Sequence, residues 1–190
     1  MYHIKNDKRA RASTELICAG LLACMKEKPF ARITITDVQR ASTVSRSTFY
    51  RNFDCLEDAL ALLCDRGFQA VFSEYNALPP EQRGSLAKAV FQYWFRSSAV
   101  LEALVQIHRT DILFDSLRRS SGLIQALQPM ADDPARFDYF VAIITSSMIG
   151  VLTVWVEHGK TETEDQMVQK LTSAFIEMAA HLVEMKSYLL

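Results

Sequence analysis

The chain has 190 residues, of which 49% are hydrophobic and 23% charged, with 6 glycines and 5 prolines. That balance excludes a disordered or low-complexity chain and fits a helix-rich globular protein of one or two domains with a real core. The formal net charge is only −1, yet residues 1–53 hold ten Lys/Arg against four Asp/Glu, so a head with six surplus positive charges is joined to an acidic body, the pattern of a phosphate-binding module on a body that does not touch nucleic acid.

Met1 to Arg11 carries charges and no apolar core, so no secretory signal is visible and a cytoplasmic location is expected. From Ser13 to Lys28, Leu16, Ile17, Leu21, Leu22 and Met25 recur at three- and four-residue steps, predicting a helix that Pro29 stops. Cys18 and Cys24 in this helix, and Cys55 and Cys64 further on, show no CxxC spacing and read as reduced, packed thiols. Thr34 followed by Asp37 is a helix-start signature and predicts a short helix over 35–42 with Val38 and Ala41 inward. Ser45 is a second N-cap, opening a helix over Arg46–Asn52 with Phe49 and Phe53 on one face and Arg46, Ser47, Thr48 and Arg51 outside. Two short helices joined by a tight turn define a helix-turn-helix unit.

Further helices are predicted over 56–76, 85–96, 98–109, 112–128, 134–158 and 163–188, with Leu78-Pro79-Pro80 and Glu81–Gly84 as the clearest break. No segment alternates as a strand does, so the fold class is all-α: a three-helix helix-turn-helix domain over 1–54 and a larger helical domain over 55–190. Residues 139–156 carry no charge and approach the length of a membrane span, but the stretch stands alone and Thr145, Ser146, Ser147 and Thr153 interrupt it, so no membrane is expected. In the last two helices, Phe137, Val141, Ile144, Met148, Val151 and Trp155, then Leu171, Phe175, Met178 and Leu182, form apolar stripes. Tyr139, Ile143, Ile149, Gly150 and Val154 leave the other side of the first of them apolar as well. A helix apolar all round needs two neighbours, which predicts a homodimer through a four-helix interface, with packing inside one chain as the alternative.

A recognition helix exposes small polar and basic side chains to base edges while its other face stays anchored. Arg46 is then a guanine reader, Ser47 and Thr48 contact bases or a thymine methyl, and Tyr50, Arg51 and Asn52 hold phosphates. Thr34 and Thr36, at the amide-rich start of the preceding helix, are further phosphate candidates, and Lys8, Arg9 and Arg11 candidate arms. The run Ile33–Val38, Ala41–Phe53 and Glu57–Leu60 resembles the DNA-binding domain of the TetR family of regulators over residues 10–60. Thr43 stands where that family usually has glycine, and Leu56 where it has a phosphate-binding lysine, so that lysine contact is lost here. Met148–Val151 and Trp155–Gly159 resemble the penultimate-helix signature of a TetR subgroup that dimerises through its last two helices. The resemblance implies a homodimeric repressor that binds a palindromic operator on double-stranded DNA and leaves it when a small-molecule effector enters the second domain.

An effector pocket between helices of that domain would draw on Phe91, Trp94, Phe95, Leu104, His108, Phe114, Tyr139 and Met148, although aromatic residues at helical spacing are more often core. His108, Asp111 and Asp115, at positions i, i+3 and i+7, share a helix face but lack a fourth convergent ligand, so neither a metal nor a cofactor is expected. There is no nucleophile elbow, phosphate-binding glycine loop or HExxH helix. An enzyme is therefore the more distant alternative, behind a DNA-binding dimer that senses nothing.

Overall fold

Among the described residues ten α-helices and two 3-10 turns alternate with short connections and no strand forms, so the fold is all-α. The computed structural model describes the backbone of residues 2–4, 7–127 and 134–188, and the side chains of these apart from 134–135 and 182–188.

Helix α1 (Lys8–Glu27) begins five residues before the apolar pattern does, because Asp7 caps it: its Oδ1 accepts from the Ala10 amide at 2.7 Å. Lys8, Arg9 and Arg11 are therefore ordered on an exposed helical turn and form no arm. Helices α2 (Ile35–Ser42) and α3 (Arg46–Asn52) pack against α1. The α1–α2 approach is set by Gly20, where an added Cβ would lie 2.8 Å from that of Ser42. Ser42 is accordingly the buried residue at the end of α2, and Ala41, expected inside, is exposed. Thr43, which ends α2, has φ 58° and ψ 16°. A β-branched residue thus occupies the left-handed conformation that a glycine would take without strain.

Helix α4 (Leu56–Ala77) packs on α1 and also on α5 (Leu86–Arg96), α6 (Ser98–Gln106), α7 (Thr110–Arg119) and α8 (Ser121–Leu127). It ties the two halves of the chain into one apolar core that runs from Ile17 to Met167. The helix expected over 112–128 is two helices: Ser120 turns to φ −66°, ψ 112°, and its carbonyl accepts from the Ile124 amide, restarting the helix at a Ser-Ser-Gly run. A single apolar periodicity spans both pieces and does not register the corner.

Helix α9 (Pro134–Glu157) corrects the expected dimer face. Val141, Met148 and Trp155 are buried in the chain's own core, with Thr145 and Leu152, and α9 packs against α6 and α7. Phe137, Ile144 and Val151 are half-buried at the edges of that contact. The uncovered side is the opposite one, where Tyr139 is 74% and Ile143 53% exposed and Gly150 and Val154 continue the stripe. Both sides are apolar, so periodicity could not say which one the chain itself takes. The window 136–157 is long and apolar enough to cross a membrane by length and composition. Helix α10 (Glu164–Tyr188) sets Met167 into the core and packs on α5. Leu171 and Phe175 are half-buried, Ile176 and Met178 exposed, and the Leu182 side chain lies outside the described residues.

Candidate nucleic-acid interface

The geometry of α3 is fixed from its first residue. Ser45 Oγ accepts from the Thr48 amide at 3.2 Å and donates to Thr48 Oγ1 at 2.9 Å, while Ser47 Oγ lies 3.1 Å away. Phe49 and Phe53 fill the inner side, fully buried with ring centroids 5.7 Å apart, and Val44 of the preceding turn is buried as well. A seven-residue helix has little stability of its own, so this buried aromatic face holds its register.

With that side locked, Arg46, Ser47, Tyr50 and Arg51 are exposed and Thr48 is half-exposed. The Arg46 guanidinium lies 5.6 Å from the Tyr50 ring centroid, and its Nη2 donates to the Tyr50 hydroxyl at 3.4 Å. The aromatic ring thereby limits the rotamers of an arginine whose donors still face solvent. Thr34 and Thr36 are exposed at the start of α2. Thr34 and Asp37 form a reciprocal cap, the Thr34 amide donating to Asp37 Oδ2 at 2.8 Å and the Asp37 amide to Thr34 Oγ1 at 3.2 Å. Lys28 pairs with Asp37 at 2.7 Å, and the hydrogen bonds from Lys28 and Thr34 hold the Asp37 carboxyl well below the usual carboxylate range.

Asn52 is a correction. It is 1% exposed and its Nδ2 donates to Thr48 O at 2.8 Å and to Ser13 Oγ at 3.5 Å, so it ties α3 to α1 instead of meeting phosphate. Its position one turn past Thr48 and three past Phe49 places it on the inner side. Leu56, at the position of the family's phosphate-binding lysine, is likewise buried.

Two features went unread in the sequence. A cavity of about 340 Å³ between the start of α1 and the end of α3 brings Lys8 and Arg9 beside Arg51, so basic groups far apart in the chain border one concave surface. The His3 amide donates to Asn52 O at 3.0 Å, closing the last turn of α3, and the neighbouring Tyr2 hydroxyl donates to Asp65 on α4. Burial and the Asp65 carboxylate push the Tyr2 phenol up to about 12. Nothing periodic marks a short tail that folds back.

The expected effector residues do not assemble. Phe91, Trp94 and Leu104 are close-packed core, Trp94 edge-on to Phe68 at 5.2 Å, and Met148 is buried with them. Phe95 stacks on Trp155 at 4.0 Å, and Phe114 is half-buried. His108 and Tyr139 are exposed. His108 also has φ 56° and sits between α6 and α7, off the helix that carries Asp111 and Asp115, and the Asp111 carboxylate receives two hydrogen bonds of 2.9 Å from Arg109. Among the described residues no group of three metal-ligating side chains converges. The four thiols are unpaired, and burial pushes Cys18 up to about 11, leaving it protonated and unreactive near neutrality.

No protein-family model and no curated protein matches the sequence. Solved structures do match over most of the chain. A TetR transcriptional regulator of Streptococcus agalactiae superposes with a TM-score of 0.59 at 18% identity, covering 88% of this chain and 96% of its own. A protein of Syntrophomonas wolfei assigned to the TetR family of transcriptional regulators gives 0.64 at 18% identity, covering 90% and 96%. Lin0861 of Listeria innocua gives 0.67 at 17% identity, covering 95% and 96%. The chain therefore has the fold of TetR-type transcriptional regulators over most of its length.

Proposed function

We propose that this protein is a sequence-specific DNA-binding transcriptional regulator and not an enzyme: a homodimeric repressor whose two copies of α3 enter successive major grooves of a palindromic operator and which a small molecule bound to the second domain releases. The observation that carries the reading is the division of α3. Its aromatic side is fully buried, and its opposite side offers Arg46, Ser47, Thr48, Tyr50 and Arg51 on a rigid short helix in the basic part of the chain. Arg46 has the reach for a guanine edge, and Ser47 and Thr48 are short enough to bring the helix axis close to the bases. Arg51, with Lys8 and Arg9 across the cavity, supplies a phosphate clamp, and Thr34 and Thr36 present the start of α2 to a second phosphate.

The dimer reading now rests on the uncovered side of α9, Tyr139, Ile143, Gly150 and Val154, together with Ile176 and Met178 of α10. Exposed apolar stripes on two adjacent long helices are what a second copy would cover in a four-helix interface. A two-fold axis there spaces two recognition helices, and two-fold proteins read palindromes. Selection of bound duplexes from a random pool tests the proposal: an inverted repeat is the expected winner, and an unenriched pool overturns it.

A further inference from the structure

The segment Tyr2–Ile4 belongs to no helix, yet it joins the end of α3 to the body of the protein. Asn52 is the last residue of α3, where a helix carbonyl finds no partner within its own helix. The His3 amide supplies one, donating to Asn52 O at 3.0 Å. The Asn52 side chain is already committed to Thr48 O and Ser13 Oγ. The last turn of α3 is therefore held from two directions, by α1 and by His3. A helix of seven residues needs such outside support to keep its final turn.

His3 is in turn held through its neighbour. The half-buried Tyr2 packs against the core, and its hydroxyl donates to Asp65 Oδ2 on α4. The other carboxylate oxygen, Asp65 Oδ1, faces Arg119 Nη2 of α7 at 3.6 Å, which orients the group and leaves Oδ2 to the tyrosine. A carboxylate is the stronger kind of acceptor, and the Asp65 side chain is only 25% exposed. The contacts thus run from α7 through Asp65, Tyr2 and His3 to Asn52, separate from the covalent path between α3 and α4. The next residue of α4, Arg66, binds Glu15 of α1 through hydrogen bonds of 2.6 and 3.1 Å, a tie to the head that does not include α3. Directly before Asn52 stands the exposed Arg51. We propose that Tyr2 is a positioning residue for DNA binding: bound to Asp65, it holds the last turn of α3, and with it Arg51, in the place from which the guanidinium meets a phosphate. The proposal rests on the DNA-binding reading above and adds to it a second link between head and body.

Tyr2→Phe keeps the ring and removes the hydroxyl, and Asp65→Leu removes the acceptor at similar shape. Hydrogen exchange of the full chain without DNA reads the hold itself. Amides 50–53 should exchange about fivefold faster in either variant, the effect of losing one hydrogen bond, and no faster in the double variant. Asp65→Asn, which still offers the hydroxyl a partner, should stay near the wild-type rate, and so should Glu15→Ala, which breaks only the α1 tie. Salt-titrated binding to the selected operator and a scrambled duplex reads the consequence. Tyr2→Phe should weaken both duplexes alike by about threefold and add nothing in an Arg51→Ala background. Unchanged exchange in Tyr2→Phe, acceleration spread evenly over α1 and α2, or full additivity with Arg51→Ala would overturn the assignment. Wild-type protein that binds neither duplex refutes the DNA reading, whereas unchanged exchange refutes the hold of Tyr2 alone.

Discussion

Helices α3 and α9 each bury one side and offer the other, but what they offer is opposite in chemistry. On α3 the buried side is aromatic and the offered side carries two arginines, hydroxyls and a tyrosine. On α9 the buried side and the offered side are both apolar. A polar surface on a short, rigidly capped helix suits a hydrated polyanion, whereas an apolar stripe on a long helix suits another apolar stripe. On the proposed reading the two regions take two partners, DNA for the head and a second copy for the body, and each can be broken without the other.

The largest effect is expected from Phe49→Ala, which removes the aromatic anchor under α3 and should cost about 3 to 5 kcal/mol of stability. Chemical denaturation should show it, with α3 losing amide protection first. Ile143→Arg should leave the fold intact and put a charge into the uncovered side of α9. Sedimentation should then report half the wild-type mass, with operator affinity lower by about 10²-fold as the two half-sites are no longer linked. A wild-type monomer would remove the dimer from the comparison, and Val141→Ala, which acts on the buried side, should lower stability without changing mass.

Thr43→Gly should raise stability by about 0.5 to 1 kcal/mol, because the left-handed backbone there suits glycine and the strain of the β-branched residue exceeds glycine's entropic cost. The smallest effect concerns Asp37. Its folded carboxyl is depressed below the ordinary value of 3.8, so the charged form stabilises the head at neutral pH and that contribution fades as the pH falls below 3.8. Thermal melts of Asp37→Asn should lie below wild type at neutral pH and converge with it on acidification.

The head was legible because its signals are local. Thr34 with Asp37, Ser45 with Thr48, and Phe49 with Phe53 lie within one turn of each other, and caps and faces follow from such spacing. Asn52 was misread because an amide at the end of a polar helix looks the same in sequence whether it turns to solvent or to Ser13, 39 residues away. The body was less legible for the same reason on a larger scale. Which side of α9 is core depends on where α6 and α7 arrive, and the corner at Ser120 is one that the helical period runs straight through.

The central claim is that the outer side of α3 reads bases while its flank holds the backbone. Salt-titrated binding of Arg46→Ala and Arg51→Ala to the selected operator and to a scrambled duplex tests it most directly. The account predicts that Arg46→Ala loses about 1 to 3 kcal/mol on the operator alone and that Arg51→Ala weakens both duplexes alike with a shallower salt slope. Equal losses for both variants on both duplexes, or none, would contradict it.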